Sequence, residues 1–193
     1  DRADVAVVEV ESGALRAVAD TAVSGASVEA LRLSADGARL FVALTTASGG
    51  SLVVIDTTRC VVLRTVALAG SIGEIAAHPN GRKVFATGWD VELGSVITVI
   101  DVASARVIDT VGVRGIPTSL VLGHDGDLAY FVDRDEIAVM CTVTHEIVDH
   151  ITVGGALACL AAGPRGRLYA ADYGGAITAL QVGAASDLAL LAS

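Results

Sequence analysis

Gly37, Gly81, Gly126 and Gly166 recur at intervals of about 40 to 45 residues, the length of one supersecondary repeat, and each closes a short turn between an apolar stretch and a stretch bearing an aromatic. The first of these reads Leu33-Ser34-Ala35-Asp36-Gly37-Ala38-Arg39-Leu40-Phe41-Val42, and the second Ala77-His78-Pro79-Asn80-Gly81-Arg82-Lys83-Val84-Phe85-Ala86. The third is Gly123-His124-Asp125-Gly126-Asp127-Leu128-Ala129-Tyr130-Phe131, and the fourth Ala162-Gly163-Pro164-Arg165-Gly166-Arg167-Leu168-Tyr169-Ala170. Such a corner needs a positive φ, which glycine adopts without steric strain. A second set of markers, the runs ending at Asp56, Asp101, Cys141 and Gln181, keeps nearly the same period as the glycines. That fixed period restricts the chain to repeat architectures in which each unit buries its apolar surface against its neighbours.

Each unit divides into four short β-branched runs, A to D, joined by Gly, Asp, Asn and Ser turns; helical periodicity is poor. Strand D is the series 61–68, 106–113 and 146–153. Many runs are apolar at successive positions, as expected of strands sandwiched between two sheets. The expected fold is therefore all-β: a β-propeller with units at 27–70, 71–115, 116–155 and 156–193, the last ending on a D strand near 188–192. Residues 1–26 match only the C and D strands of a unit, a half blade. A ring of about seven blades at roughly 40 residues each needs about 280 residues. The absent A and B strands are thus expected from upstream blades, from a second chain, or from a five-bladed ring with one thin blade.

Composition narrows the function classes. No apolar run approaches the ~18 residues that span a bilayer, so no membrane insertion is expected. The net charge is −9, and only Lys83 among the 13 Lys and Arg is lysine; without a basic cluster, nucleic acid is not an expected partner. The balance of Arg over Lys, with abundant Ala, Val and Gly, is what a high-GC bacterial genome encodes. Cys60, Cys141 and Cys159 match neither a disulfide framework nor a zinc motif and read as small core residues. The opening Asp1-Arg2-Ala3-Asp4 carries no leader pattern and reads as an interior point of a longer product.

The stretch Gly94-Ser95-Val96-Ile97-Thr98-Val99-Ile100-Asp101-Val102-Ala103-Ser104-Ala105-Arg106-Val107-Ile108-Asp109-Thr110-Val111, running on to Gly115-Ile116-Pro117, resembles the YVTN-type propeller repeat. That repeat has a strand ending Val-Ile-Asp, a Thr-Gly turn, a strand ending in Val or Ile, then Gly-x-x-Pro and a Ser-Pro-Asp-Gly turn before Tyr-Val. The resemblance is close over 31–135 and looser beyond, with Cys141 and Gln181 in place of the turn Asp. It implies a bacterial extracytoplasmic propeller, periplasmic, envelope-associated or secreted, related in fold to lactonase-like and quinoprotein-like enzymes.

In that register the B-to-C loops and D-to-A crossovers share one face, where 45–51, 88–94, 133–136 and 172–175 join Arg114 and Gly115. The candidate partner-binding residues there are Trp89, Asp90, Glu92, Arg114, Asp133, Arg134, Asp135, Asp172 and Tyr173. Trp89, the only Trp, is placed in the longest of these loops, where it anchors a partner or covers the blade edge. Arg134, between Asp133 and Asp135, orients an anion or joins a local ion-pair cluster. The acidic residues lack the Asp-x-Asp-x-Asp-Gly loop of a Ca²⁺ site. His78 and His124 fall in A-to-B turns, and His145 and His150 flank a D strand, without metal-ligand spacing. No Gly-x-Ser-x-Gly elbow or phosphate loop occurs. No catalytic residue, metal or cofactor is assigned. The expected function is a noncatalytic scaffold for a protein or envelope partner; the alternatives are a lactonase-like hydrolase and a structural part of a larger assembly.

Overall fold

A computed structural model describes residues 2–182, which form strands and turns without a helix. The first sheet pairs β1 (Arg2–Val8) with β2 (Leu15–Ser24). Three antiparallel meanders of four strands follow. The first is β3 (Ser27–Leu33), β4 (Arg39–Thr46), β5 (Gly49–Asp56) and β6 (Val61–Ala67). The second is β7 (Ser71–Ala77), β8 (Lys83–Asp90), β9 (Gly94–Asp101) and β10 (Arg106–Gly112). The third is β11 (Thr118–Leu122), β12 (Leu128–Asp133), β13 (Glu136–Cys141) and β14 (Ile147–Ile151). A sheet of β15 (Leu157–Ala162), β16 (Arg167–Asp172) and β17 (Ile177–Gln181) ends the described chain; the D strand expected near 188–192 lies outside the described residues.

The turns form because the glycines do what the spacing requires. Gly37, Gly81, Gly126 and Gly166 take φ of 68°, 68°, 84° and 68°. The Gly37, Gly81 and Gly126 N–H groups each donate to the carbonyl three residues back, on Ser34, His78 and Gly123. Asp36, Asn80 and Asp125 complete those corners, each side-chain oxygen accepting the N–H two residues on.

Between turns, side-chain alternation along each inner strand sends successive residues into different cores. On β4, Phe41 and Ala43 pack toward the second meander with Ile72, Ile75, Val84 and Ala86, whereas Val42 and Leu44 pack toward the first sheet with Ala3 and Ala19. On β12, Ala129 and Phe131 join Phe85 and Ile97, while Leu128, Tyr130 and Val132 join Leu157, Leu160 and Leu168. Each meander therefore shares one core with the sheet before it and another with the sheet after it. The innermost strands β3, β7, β11 and β15 lie against one another in turn, and the outer strands β6, β10 and β14 are largely exposed. This is the radial stack of propeller blades.

The repeat aromatics carry these interfaces. Phe41, Phe85 and Tyr130, at matching positions, are at most 2% exposed, and burial pushes the Tyr130 phenol up to about 12. All three readings of the cysteines need correction, Cys60 being half-buried in the turn that follows β5. Cys159 is exposed, because on β15 it sits on the face turned away from the core shared with the third meander, where none of the described sheets packs. Cys141 is half-buried at the end of β13 rather than in a core. Phe85→Ala should lower stability by about 3–5 kcal/mol in urea unfolding, since the packed interface cannot collapse onto the void.

Candidate functional site

Trp89 is not in a loop. It is a residue of β8, paired with Ser71 on one side and Ser95 on the other. It is pinned there because its neighbours are glycines: a Cβ on Gly70 would lie 1.6 Å from the Trp89 carbonyl oxygen, and one on Gly88 would lie 2.3 Å from the Ser71 oxygen. The ring edge rests over Gly94, whose φ of 78° turns the chain into β9. The indole is nonetheless 56% exposed, and Val91 (84%), Leu93 (54%) and Ile116 (78%) stand exposed on the same face. Below the indole a cavity of about 340 Å³ is lined by Ile72, Glu74, Thr87, Trp89, Ile116 and Pro117, among others.

The acidic residues nominated on this face do not converge. Asp90, Asp133 and Asp172 end the B strands of three successive blades, and each carboxylate is taken up by nearby backbone. Asp90 Oδ1 accepts the N–H groups of Glu92 and Leu93. Asp133 is buried; its Oδ1 accepts Gly115 N–H at 2.6 Å and its Oδ2 accepts Arg114 N–H at 3.2 Å. Asp172 Oδ1 accepts Ala176 N–H, and a Cβ on Gly155 would lie 2.8 Å from its Oδ2. These are structural caps at strand ends and crossovers.

Arg134, with a φ of 62°, donates to the Arg114 carbonyl, and Arg114 reaches Glu136 at 3.2 Å and Asp133 at 3.8 Å. Arg114, Arg134 and Asp135 are exposed together beside the third blade's B-to-C turn. Glu92 is exposed next to Trp89, and Tyr173 is 81% exposed one blade beyond Arg134. Trp89, Asp90 and Glu92 thus group on one hairpin, 133–135 on a second with Arg114 of the preceding crossover beside them, and Asp172 and Tyr173 on a third.

The opposite face holds an arrangement that no motif announced. Lys83 on β8 donates from Nζ to the Thr142 carbonyl and to His145 Nε2, both at 2.9 Å, and His145 Nδ1 lies 2.8 Å from Asp109 Oδ2 on β10. An ammonium only donates, so Nε2 accepts, and Nδ1 bears the hydrogen given to Asp109. The link ties the second blade to the third, and it holds the Asp109 carboxyl below the ordinary 3.8, chiefly through the His145 hydrogen bond. The signal available beforehand was faint: a lone lysine and a histidine in turn positions of neighbouring repeats. Nearby, a cavity of about 410 Å³ is lined by His78, Asn80, Arg82, Lys83, Asp101 and Asp127, among others.

At the end of β13, Cys141 stands where Asp56 and Asp101 stand in the earlier blades. Asp56 Oδ1 accepts the Thr58 and Arg59 N–H groups, and Asp101 Oδ1 accepts the Ser104 N–H and hydroxyl. Burial alone would raise the Cys141 thiol, but the Thr144 N–H and hydroxyl and the Val143 N–H outweigh it and bring the thiol below its ordinary 9.0.

Comparison with known proteins agrees with this geometry. The chain is 33% identical over 123 residues to the seven-bladed β-propeller protein Rv1057 of Mycobacterium tuberculosis. Its fold is that of propeller blades. That match takes in 61% of this chain and only 30% of that protein. Among solved structures, the β-propeller domain of Myceliophteria thermophila Cps50 (Swd1) superposes with a TM-score of 0.70 at 13% identity, over 92% of this chain and 63% of that one. Kuenenia stuttgartiensis hydrazine synthase gives 0.68 at 19% identity, over 82% and 49%, and the RRP9 WD40 repeats give 0.66 at 17%, over 81% and 48%. At such identities the likeness is one of fold. No protein-family model matches the chain.

Two outcomes test these placements. Gly70→Ala should destabilise by about 1–3 kcal/mol and change Trp89 emission in the folded state, whereas Gly112→Ala, with nothing within 4 Å, should stay within about 0.5 kcal/mol. The carboxyls of Asp36, Asp101 and Asp109 all sit below 3.8 when folded, held mainly by Ser34, Ser104 and His145. A depressed folded value means that their stabilisation is full above the unfolded value and is lost as pH falls through the folded one. The stability difference between wild type and Asp109→Asn should therefore shrink as pH drops below 3.8 in pH-resolved denaturation.

Proposed function

We propose that these blades form a noncatalytic scaffold that docks a protein partner on the face carrying the B-to-C turns and D-to-A crossovers. The observation that carries the reading is that Trp89, Val91, Leu93 and Ile116 are all exposed on this face, with Trp89 held by strand pairing on both sides. Exposed apolar side chains around an anchored aromatic are the composition of an interface centre. Asp90, Asp133 and Asp172 on this face are engaged in capping, which favours recognition over hydrolysis. The YVTN-type repeat pattern supports placing the protein outside the cytoplasm, where its partner would be a secreted or envelope protein. The seven-bladed relative supports completion of the two-stranded first sheet by further blades.

Quantitative co-purification from the native host tests the reading. Trp89→Ser combined with Leu93→Ser should deplete specific proteins at least tenfold, while Val143→Ser, which alters an exposed valine on the opposite face, leaves them bound. An unchanged protein set with both variants folded would end the proposal.

A further inference from the structure

The cavity beneath Trp89 combines three properties: an aromatic wall, apolar flanks and a single carboxylate. Trp89 supplies the wall; Ile72, Ile116 and Pro117 supply the flanks; Glu74 on β7 supplies the charge. Glu74 is fixed from two sides. Its N–H donates to Thr87 Oγ1 at 2.9 Å, and its Oε2 accepts the Leu120 N–H of the next blade at 3.0 Å. The second carboxylate oxygen, Oε1, has no hydrogen-bond partner among the described residues. The equivalent cross-blade bond in the next pair of blades comes from a neutral group, Ser119 Oγ accepting Leu160 N–H at 2.9 Å. Bridging the inner strands therefore does not require a charge, and the carboxylate at position 74 exceeds that structural need.

We infer that this slot receives the side chain of an arginine or lysine on an extended segment of the partner protein, its apolar stem along Trp89 and Ile116 and its cationic head toward Glu74. The inference rests on the docking reading above and names the chemistry of the docked segment. Charge complementarity points the same way: Asp90 and Glu92 flank Trp89 on its own hairpin, and the chain carries a net charge of −9. A cation over an indole face gains from the ring quadrupole, most strongly when partly desolvated, and the cavity, at about 340 Å³, is within the range of small binding sites. The occupant is a side chain of a larger segment because Val91 and Leu93, in the turn that follows Trp89, and Ile116 on the slot's flank are exposed apolar residues that flanking positions of a segment would cover. The two blades that form the slot are each flanked by another sheet, which holds the residues lining it in place.

Trp89 is the only Trp, so intrinsic fluorescence reads this slot directly. The intact chain is titrated with acetyl-Leu-Arg-Leu-amide and with the same peptide carrying citrulline, the neutral isostere of arginine. The expected result is a saturable change in Trp89 emission with the arginine peptide and an affinity about 10-fold weaker for citrulline. Glu74→Gln keeps an acceptor for the Leu120 N–H, so the fold is retained by circular dichroism, and it should weaken the arginine peptide about 10-fold. Trp89→Ala, followed by calorimetry, should do the same. Equal affinity for the two peptides, no saturable change with the arginine peptide, or full affinity in Glu74→Gln would overturn the inference. So would free N-acetylarginine amide binding as tightly as the peptide. If the peptide fails while the Trp89 and Leu93 variants still lose host proteins, the docking reading stands and only the cationic occupant falls.

Discussion

Everything in this structure depends on each four-stranded meander having two dry faces. A central strand such as β4 or β12 places alternate side chains in two different cores, so no meander is stable alone and each is completed by its neighbours. That constraint explains why the inner strands read as nearly continuous apolar runs and why the outer strands tolerate exposed residues. It also explains why binding residues are confined to strand ends: the sheet faces are already occupied. Trp89 is the clearest case, a strand residue by pairing whose ring emerges only where the sheet stops.

The fold was legible because its corners have a covalent requirement. Gly37, Gly81, Gly126 and Gly166 all adopt the positive φ that their spacing implies. The outer turns were less legible. Cys60, Ala105 and His145 recur once per blade with φ of 53°, 53° and 61°, a left-handed position that a YVTN-type repeat fills with glycine. A non-glycine residue there carries about 1 kcal/mol of backbone strain. Because side-chain chemistry does not forbid it, composition alone gives no warning. The exchange of Asp for Cys141 was likewise opaque until the donors at Thr144 and Val143 showed what the sulfur replaces.

The functional face was readable as a location and much less as chemistry. Asp90, Asp133 and Asp172 drew attention as acids near a rim of loops only while their spacing went unused; they recur in step with the glycine corners, one to a blade, and their oxygens cap backbone amides. Glu74 went unnoticed for the opposite reason. It lies in the middle of an unremarkable inner strand, and its importance comes from a bulge that turns it toward the next blade. Contacts between blades are set by packing across a whole repeat of sequence, which local pattern does not encode.

The bridge from Lys83 through His145 to Asp109 also bears on the amine chemistry of the chain. Lys83 is the one side-chain amine in these 193 residues, and that amine is already engaged by two acceptors on the adjoining blade. Acylation or tagging at lysine therefore competes with both hydrogen bonds, so the reactivity of that one amine reports on how well the two blades hold together.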